Sequence, residues 1–340
     1  MNFNGKFQTG FPITMKTFKW NSFAIVLPAS PGSVIRSMLL MLFALATGVP
    51  AVAVAADTAK IFATPEDAVS ALLRAANAAD TNAFHALFGP MAADLENPDR
   101  VQAMNELRTF VSAFDQAHRI VRESDSKCVL EVGGENWPFP VPIVKKDGKW
   151  YFDTEAGKDE LLTRRIGRNE LAVLDVVRAY VEAQREYASS DRDGDEVLEY
   201  AQRLQSSAGQ KDGLYWEPDI DGEISPFGPL VAHAHTLGYR LNPDAPRAAP
   251  EPFHGYFFKI LTRQGKSAPG GSYNYIINGN MIGGFAFVAW PADYDESGIM
   301  TFIVNQQGRV YQKDLGPKTA KIAEAMKEYD PDKTWTISRE

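Results

Sequence analysis

The sequence holds one cysteine, Cys128, in 340 residues. No disulfide can form within the chain, so its folded parts are held by packing and hydrogen bonds alone. Cys128 sits in a strand-like K-C-V-L-E-V run and reads as buried filler rather than a reactive thiol. Positive charge is also in short supply. Lys and Arg number 35 against 43 Asp and Glu, a formal charge of −8. Residues 1–56 carry Lys6, Lys16, Lys19 and Arg36 and no acid, so the remainder is more acidic than the whole. Such a surface repels phosphate backbones and anionic lipid heads, which argues against nucleic acid as a partner. Familiar reaction motifs are missing too. There is no G-x-S-x-G elbow and no H-E-x-x-H, and Gly265-Lys266-Ser267 copies only the end of a phosphate loop. Ser225 and Ser272 are available hydroxyls, but no histidine is spaced to activate them.

What is present begins with export. Arg36 precedes the apolar run Met38–Ala46, and the alanine-rich end at Ala55-Ala56 completes the three parts of a secretory signal. Cleavage after Ala55 or Ala56 and a periplasmic or secreted product are the expectation. An uncleaved anchor over Met38–Ala56 is the alternative, opposed by Pro50 and the small-residue end. No cysteine follows the run, so lipid attachment there is excluded.

Beyond the signal the length suits two domains. Thr64-Pro65-Glu66-Asp67 predicts a helix start, with Thr capping and Pro at the first position. Asn97-Pro98-Asp99 predicts a second, followed by Val101, Met104, Leu107, Phe110, Val111 and Phe114 at helical spacing. From Ile120 the period falls to two. C-V-L-E-V, W-P-F-P-V-P-I-V and K-W-Y-F-D read as strands, with Lys146-Asp147-Gly148 as a hairpin turn. Pro138, Pro140 and Pro142 remove backbone donors and place their strand at an edge or make it an extended arm. A third helix over Glu155–Arg164 and a long one capped by Asn169 follow. Strands over His254–Gly316 predict an antiparallel meander with one face on a core. A last helix, Pro317–Tyr329, would dock through Ala320, Ile322, Ala323, Ala325 and Met326. The expected fold is α+β. Residues 57–165 form a helix-plus-curved-sheet domain, and 168–340 a long helix packed on an antiparallel sheet.

Three resemblances bear on this. Helices followed by a sheet ending in D-G-K-W-Y-F are similar to the cystatin-like and nuclear-transport-factor-like domains. Over most of 60–335 the chain resembles an exported bacterial family known as domain of unknown function 2950. The likeness runs through E-L-A-V-L-D-V-V-R-A-Y-V-E-A-Q-R-E-Y-A, S-x-x-G-x-K-D-G-L-Y-W, H-G-Y-F-F-K-I-L-T and P-G-G-S-Y-N-Y-I-I-N-G-N-M-I-G-G-F-A. It implies export and two parts, and brings no catalytic residues. Residues 168–316, with A-x-P-x-x-Y-x-x-S-G-x-x-T-F-x-V-x-x-x-G-x-V-Y, also resemble the globular half of type IV pilins and pseudopilins. The charged T-R-R-I-G-R-N-E before the long helix departs from the apolar half-helix those proteins insert in membranes.

Candidate sites are sparse. Asp191, Asp193, Asp195 and Glu199 form D-x-D-G-D-x-x-x-E, whose Gly and Glu fall at the wrong positions for an EF-hand. A different calcium site or an acid-rich helix start capped by Asp193 or Asp195 are the two readings. His233 and His235 could ligate together only on a strand, and no further ligand is evident. His85 and His118 lie in helical patterns. Tyr215, Trp216, Tyr256, Tyr273, Tyr275 and Trp290 cluster near Gly-rich and Pro-rich loops and could bind glycan or extended peptide. The reading reached is a non-enzymatic exported module that binds an envelope protein or polymer. An envelope-acting, hydrolase-like enzyme using His254, His233, Asp212 and Tyr215 is the first alternative, and a calcium-stabilised structural module the second. Apart from that calcium, no cofactor is expected.

Overall fold

The computed structural model describes residues 59–192, 194–218, 222–239 and 251–338. The expected signal segment and Asp193 lie outside the described residues. Thr64 Oγ1 accepts the Asp67 N–H at 3.1 Å, and α1 (Pro65–Ala78) starts where its capping chemistry placed it. Asp80 caps a short α2 (Thr81–Phe88), too brief to show a period in sequence; it carries His85. Within the predicted Asn97-Pro98-Asp99 start, Asp99 caps α3 (Arg100–Gln116), its Oδ1 accepting from the Gln102 N–H at 2.9 Å.

Five strands follow: β1 (His118–Ser124), β2 (Lys127–Val132), β3 (Trp137–Pro138), β4 (Ile143–Lys146) and β5 (Lys149–Phe152). They pair antiparallel in the order β1-β2-β4-β5, with β3 paired to β2. His118 therefore begins a strand rather than continuing a helix. The prolines divide their run into β3 and β4, both facing β2. Asp147 (φ 51°) and Gly148 (φ 79°) supply the left-handed residues of the predicted turn. Cys128 is fully buried on β2, and burial pushes its thiol pKa up.

One helix, α4 (Thr154–Tyr187), replaces the two expected. Asn169 does not cap it but lies fully buried mid-helix. Gln102 Nε2 donates to Asn169 Oδ1 at 2.7 Å, and Asn169 Nδ2 donates to the Ser297 carbonyl at 2.8 Å. A polar side chain with both ends satisfied has no need of a helix terminus. Beyond α4 the expected helix after Asp195 does not form. The described residues between α4 and α5 (Gly228–Thr236) form no helix or regular strand, and Tyr200 N–H donates instead to Met281 O at 2.9 Å.

The last part contains β6 (Tyr256–Leu261), β7 (Arg263–Gln264), β8 (Tyr273–Asn274), β9 (Ile276–Ile277) and β10 (Asn280–Met281). Then come β11 (Ala286–Pro291), β12 (Met300–Asn305), β13 (Tyr311–Asp314), α6 (Thr319–Ala325), β14 (Glu328–Tyr329) and β15 (Thr336–Ile337). The main sheet is the predicted antiparallel meander, ordered β15-β13-β12-β11-β6. It is buried on both faces, not one: β11 is buried at all six positions. On one face Tyr180 of α4 stacks on Phe287 at 3.9 Å, and its hydroxyl donates to Ala286 O at 3.2 Å. Lys259 pairs with Val288 and so belongs to the opposite face. There its amine donates to the carbonyls of Ala323 (2.8 Å) and Glu324 (2.6 Å) at the end of α6. The predicted terminal helix thus stops at Ala325. Its continuation becomes β14, parallel to β7, while Ala323 docks and Ile322 stays exposed.

The architecture is α+β. One hydrophobic cluster joins α1, α2, α3 and the first sheet, and another joins α4, α5 and the second sheet. Helix α4 touches both ends: Thr154 Oγ1 donates to Phe88 O at 2.8 Å, and Tyr180 enters the second cluster. Among the described residues no helix is long and apolar enough to cross a membrane.

Candidate functional site

Gln264 is fully buried and organises the glycine-rich run that follows it. Its Nε2 donates to the carbonyls of Pro269 (2.8 Å) and Gly271 (2.7 Å), and its Oε1 accepts the Tyr275 hydroxyl at 3.1 Å. Ser267 N–H donates to Asp330 Oδ1 at 2.7 Å. The β9–β10 turn rests on Asn278 (φ 54°) and Gly279 (φ 99°), both left-handed.

The acidic run holds this hairpin. Asn280 Nδ2 donates to Asp195 Oδ2 at 2.6 Å, Met281 N–H to Glu199 Oε2 at 2.7 Å, and Gln202 Nε2 to Gly279 O at 2.6 Å. Asp191 accepts the N–H groups of Gly194 (2.7 Å) and Glu196 (3.0 Å). Asp191, Asp195 and Glu199 thus accept hydrogen bonds in turns and at the hairpin. Among the described residues, no group of three His, Cys, Asp or Glu could hold a metal.

The result is a braced loop that shows apolar side chains to solvent. Tyr273, Ile277 and Ile282 are 39%, 46% and 45% exposed, and neighbouring Leu198 is 59% exposed. The six aromatics read from sequence as a binding surface divide sharply. Tyr215, Trp216, Tyr256, Tyr275 and Trp290 are buried, because each ring packs in the second hydrophobic cluster. Tyr273 alone of the six presents an exposed ring. Exposed Ile277 and Ile282 escaped notice because isolated aliphatic residues in a strand-like run read as core, and Leu198 because its run read as an acid-rich helix start or a calcium site.

The four residues of the hydrolase-like reading separate into two places. Asp212 accepts from the N–H (2.7 Å) and hydroxyl (2.9 Å) of Ser207 and pairs with Arg203 at 3.1 Å. Burial alone raises its carboxyl, and these partners override it and hold the pKa below the usual value. The Tyr215 hydroxyl donates to Glu217 at 2.8 Å, and burial with that bond pushes the phenol up to about 12.

His254 instead lies beside Asp99 and feels His233 of α5. Burial holds its imidazole below the usual histidine value, with Asp99 pulling the other way. Its backbone is left-handed (φ 51°), and its ring packs 4.3 Å from that of Phe253. Asp99 is 2% exposed and accepts the Tyr239 hydroxyl at 2.6 Å and the Gly255 N–H at 3.2 Å, besides capping α3. Asp99 did not stand out in the sequence. Asp99 read only as part of a helix start. Helical α5 points His233 and His235 in different directions, which removes the paired-ligand reading.

A family comparison covers residues 59–337 of this sequence, matching a group described as protein of unknown function (DUF2950). The chain belongs to that family. No curated protein and no solved structure matches it. For this DUF2950 member the structure therefore offers two places to weigh: the apolar hairpin and the Asp99–His254 junction.

Proposed function

We propose that this DUF2950 protein is an exported, non-enzymatic module that binds an envelope partner through the loop from Tyr273 to Ile282. The carrying observation is that Tyr273, Ile277 and Ile282 are exposed on a loop that Gln264, Asp195, Glu199 and Gln202 brace by hydrogen bonds, and that Leu198, in the bracing run, is exposed as well. Exposing apolar side chains is unfavourable unless something covers them, and bracing lowers the entropy lost when a partner does so. Export rests on the Arg36–Ala56 pattern. The long helix lying across an antiparallel sheet is the feature that favours a pilin-like arrangement of 168–316. The test is retention on bacterial envelope fractions by sedimentation. The wild-type chain is expected to co-sediment, and the double variant Ile277→Asp, Ile282→Asp to remain free with its Tm unchanged. Equal retention of both sinks the reading.

The second reading, an enzyme, has one observation in its favour. His254 is a non-glycine residue in a left-handed backbone, its pKa lowered by burial while neighbouring Asp99 pulls the other way, and such strain clusters at active sites. Hydrolysis of a chromogenic ester or glycoside panel that vanishes in His254→Asn would support it.

A further inference from the structure

The hairpin's neighbours carry a charge pattern that narrows the partner. No residue in 271–282 is charged, and Lys266 is the single base between 265 and 284. Asp195 and Glu199 reach this hairpin through Asn280 and Met281, and exposed Glu196 follows Asp195 in the chain. The bonds of Asp195 and Glu199 come from neutral donors: Val197 N–H, Asn280 Nδ2, Met281 N–H and Gln202 Nε2. Asp195, Glu196 and Glu199 have no ion-pair partner among the described residues. The nearby base Arg203 is paired with Asp212. Three carboxylates whose charge is uncompensated thus flank Leu198, Ile277 and Ile282.

Resting on the binding-module reading above, we infer that the surface receives a cationic, apolar segment of a partner protein. Aliphatic side chains of that segment cover Ile277, Ile282 and Leu198, and its Lys or Arg residues meet Asp195, Glu196 and Glu199. An acidic segment is disfavoured by like charge, and a neutral one leaves the carboxylates unpaired at the edge of a buried contact. Charge pairs at the rim of an apolar patch raise the association rate and fix the orientation, while the apolar contact supplies most of the affinity.

The test uses the full chain with two labelled peptides, one alternating Lys and Leu, the other alternating Glu and Leu, read by fluorescence anisotropy. The Lys peptide is expected to bind at least about tenfold more tightly at low ionic strength, with the difference shrinking as salt is raised. Glu196→Lys reverses a charge whose side chain makes no hydrogen bond or ion pair among the described residues, and it should remove most of that preference with Tm unchanged. Ile277→Asp should abolish binding of the Lys peptide. Equal binding of the two peptides, lost in Ile277→Asp, overturns the cationic partner and leaves the binding surface standing. Binding to sedimented cell-wall glycan through Ile277, with no binding of either peptide, overturns it in favour of a polymer. Absence of any binding sensitive to Ile277 overturns both readings.

Discussion

The Tyr239 hydroxyl donates to Asp99 Oδ2 at 2.6 Å across a sequence separation of 140. The same oxygen accepts the Gly255 N–H, while Oδ1 caps α3. One buried carboxylate therefore ties the first helical layer to the segments that lead into β6.

Asp99→Ala removes a helix cap and the buried acceptor that the Tyr239 hydroxyl and the Gly255 N–H share. The expected loss is about 3 kcal/mol or more, summing a cap of about 1 and unsatisfied groups of about 1–3 each. Asp99→Asn keeps an acceptor for the cap and should lose less than half as much. Urea unfolding monitored by tryptophan fluorescence decides it. Equal stability of Asp99→Ala and wild type would show that the tie contributes nothing.

Helix α4 makes an internal comparison between two glycines. A Cβ at Gly157 would lie 2.6 Å from Val141 Cα and 2.8 Å from its Cγ2, and backbone cannot yield cheaply. Gly157→Ala is expected to destabilise by about 1–3 kcal/mol through overpacking. At Gly167 a Cβ meets nothing within 4 Å and the site is exposed. Gly167→Ala should stabilise by about 0.5–1 kcal/mol, since alanine loses less backbone entropy in a helix. Thermal unfolding of the two variants should move Tm in opposite directions.

That pair also shows where the sequence was opaque. Local signals were readable: Thr64 caps α1, Asp147-Gly148 turns β4 into β5, and β6, β11 and β12 fall where β-branched and aromatic runs placed them. Gly167 and Asn169 look like a helix break because breakers and caps act locally. What decides otherwise is Gln102 and Ser297, distant in sequence, which satisfy the Asn169 amide. The same limit hid the site. Whether Tyr256 or Tyr273 is exposed depends on what lies above the sheet, and Lys259 reaching α6 is not visible in a periodic pattern. Asp195 and Glu199 suggested metal because the partners that occupy them, Asn280 and Met281, lie over 80 residues away.

Those partners yield a prediction about calcium. Asp191, Asp195 and Glu199 already accept hydrogen bonds, so added calcium and EDTA should each leave Tm within about 1 °C. A rise of several degrees with calcium would show that these carboxylates rearrange around a cation together with Asp193.

His254 sets a pH dependence whose sign follows from burial. Its folded pKa is lowered below the unfolded value of 6.5, mainly by desolvation, with Asp99 and Asp175 opposing and His233 reinforcing the shift. Between the lowered value and 6.5 the unfolded chain binds a proton that the folded chain does not. Stability therefore rises with pH through that window and is lost as pH falls from 6.5. His254→Asn should flatten this part of the curve, and asparagine tolerates the left-handed backbone that His254 adopts (φ 51°). The measurement is urea unfolding of both proteins at steps from pH 7.5 to 5. The difference between the two curves reports His254, because the other titrating groups are common to both. If the variant loses stability in acid as steeply as the wild type, burial of His254 is not what couples this fold to pH.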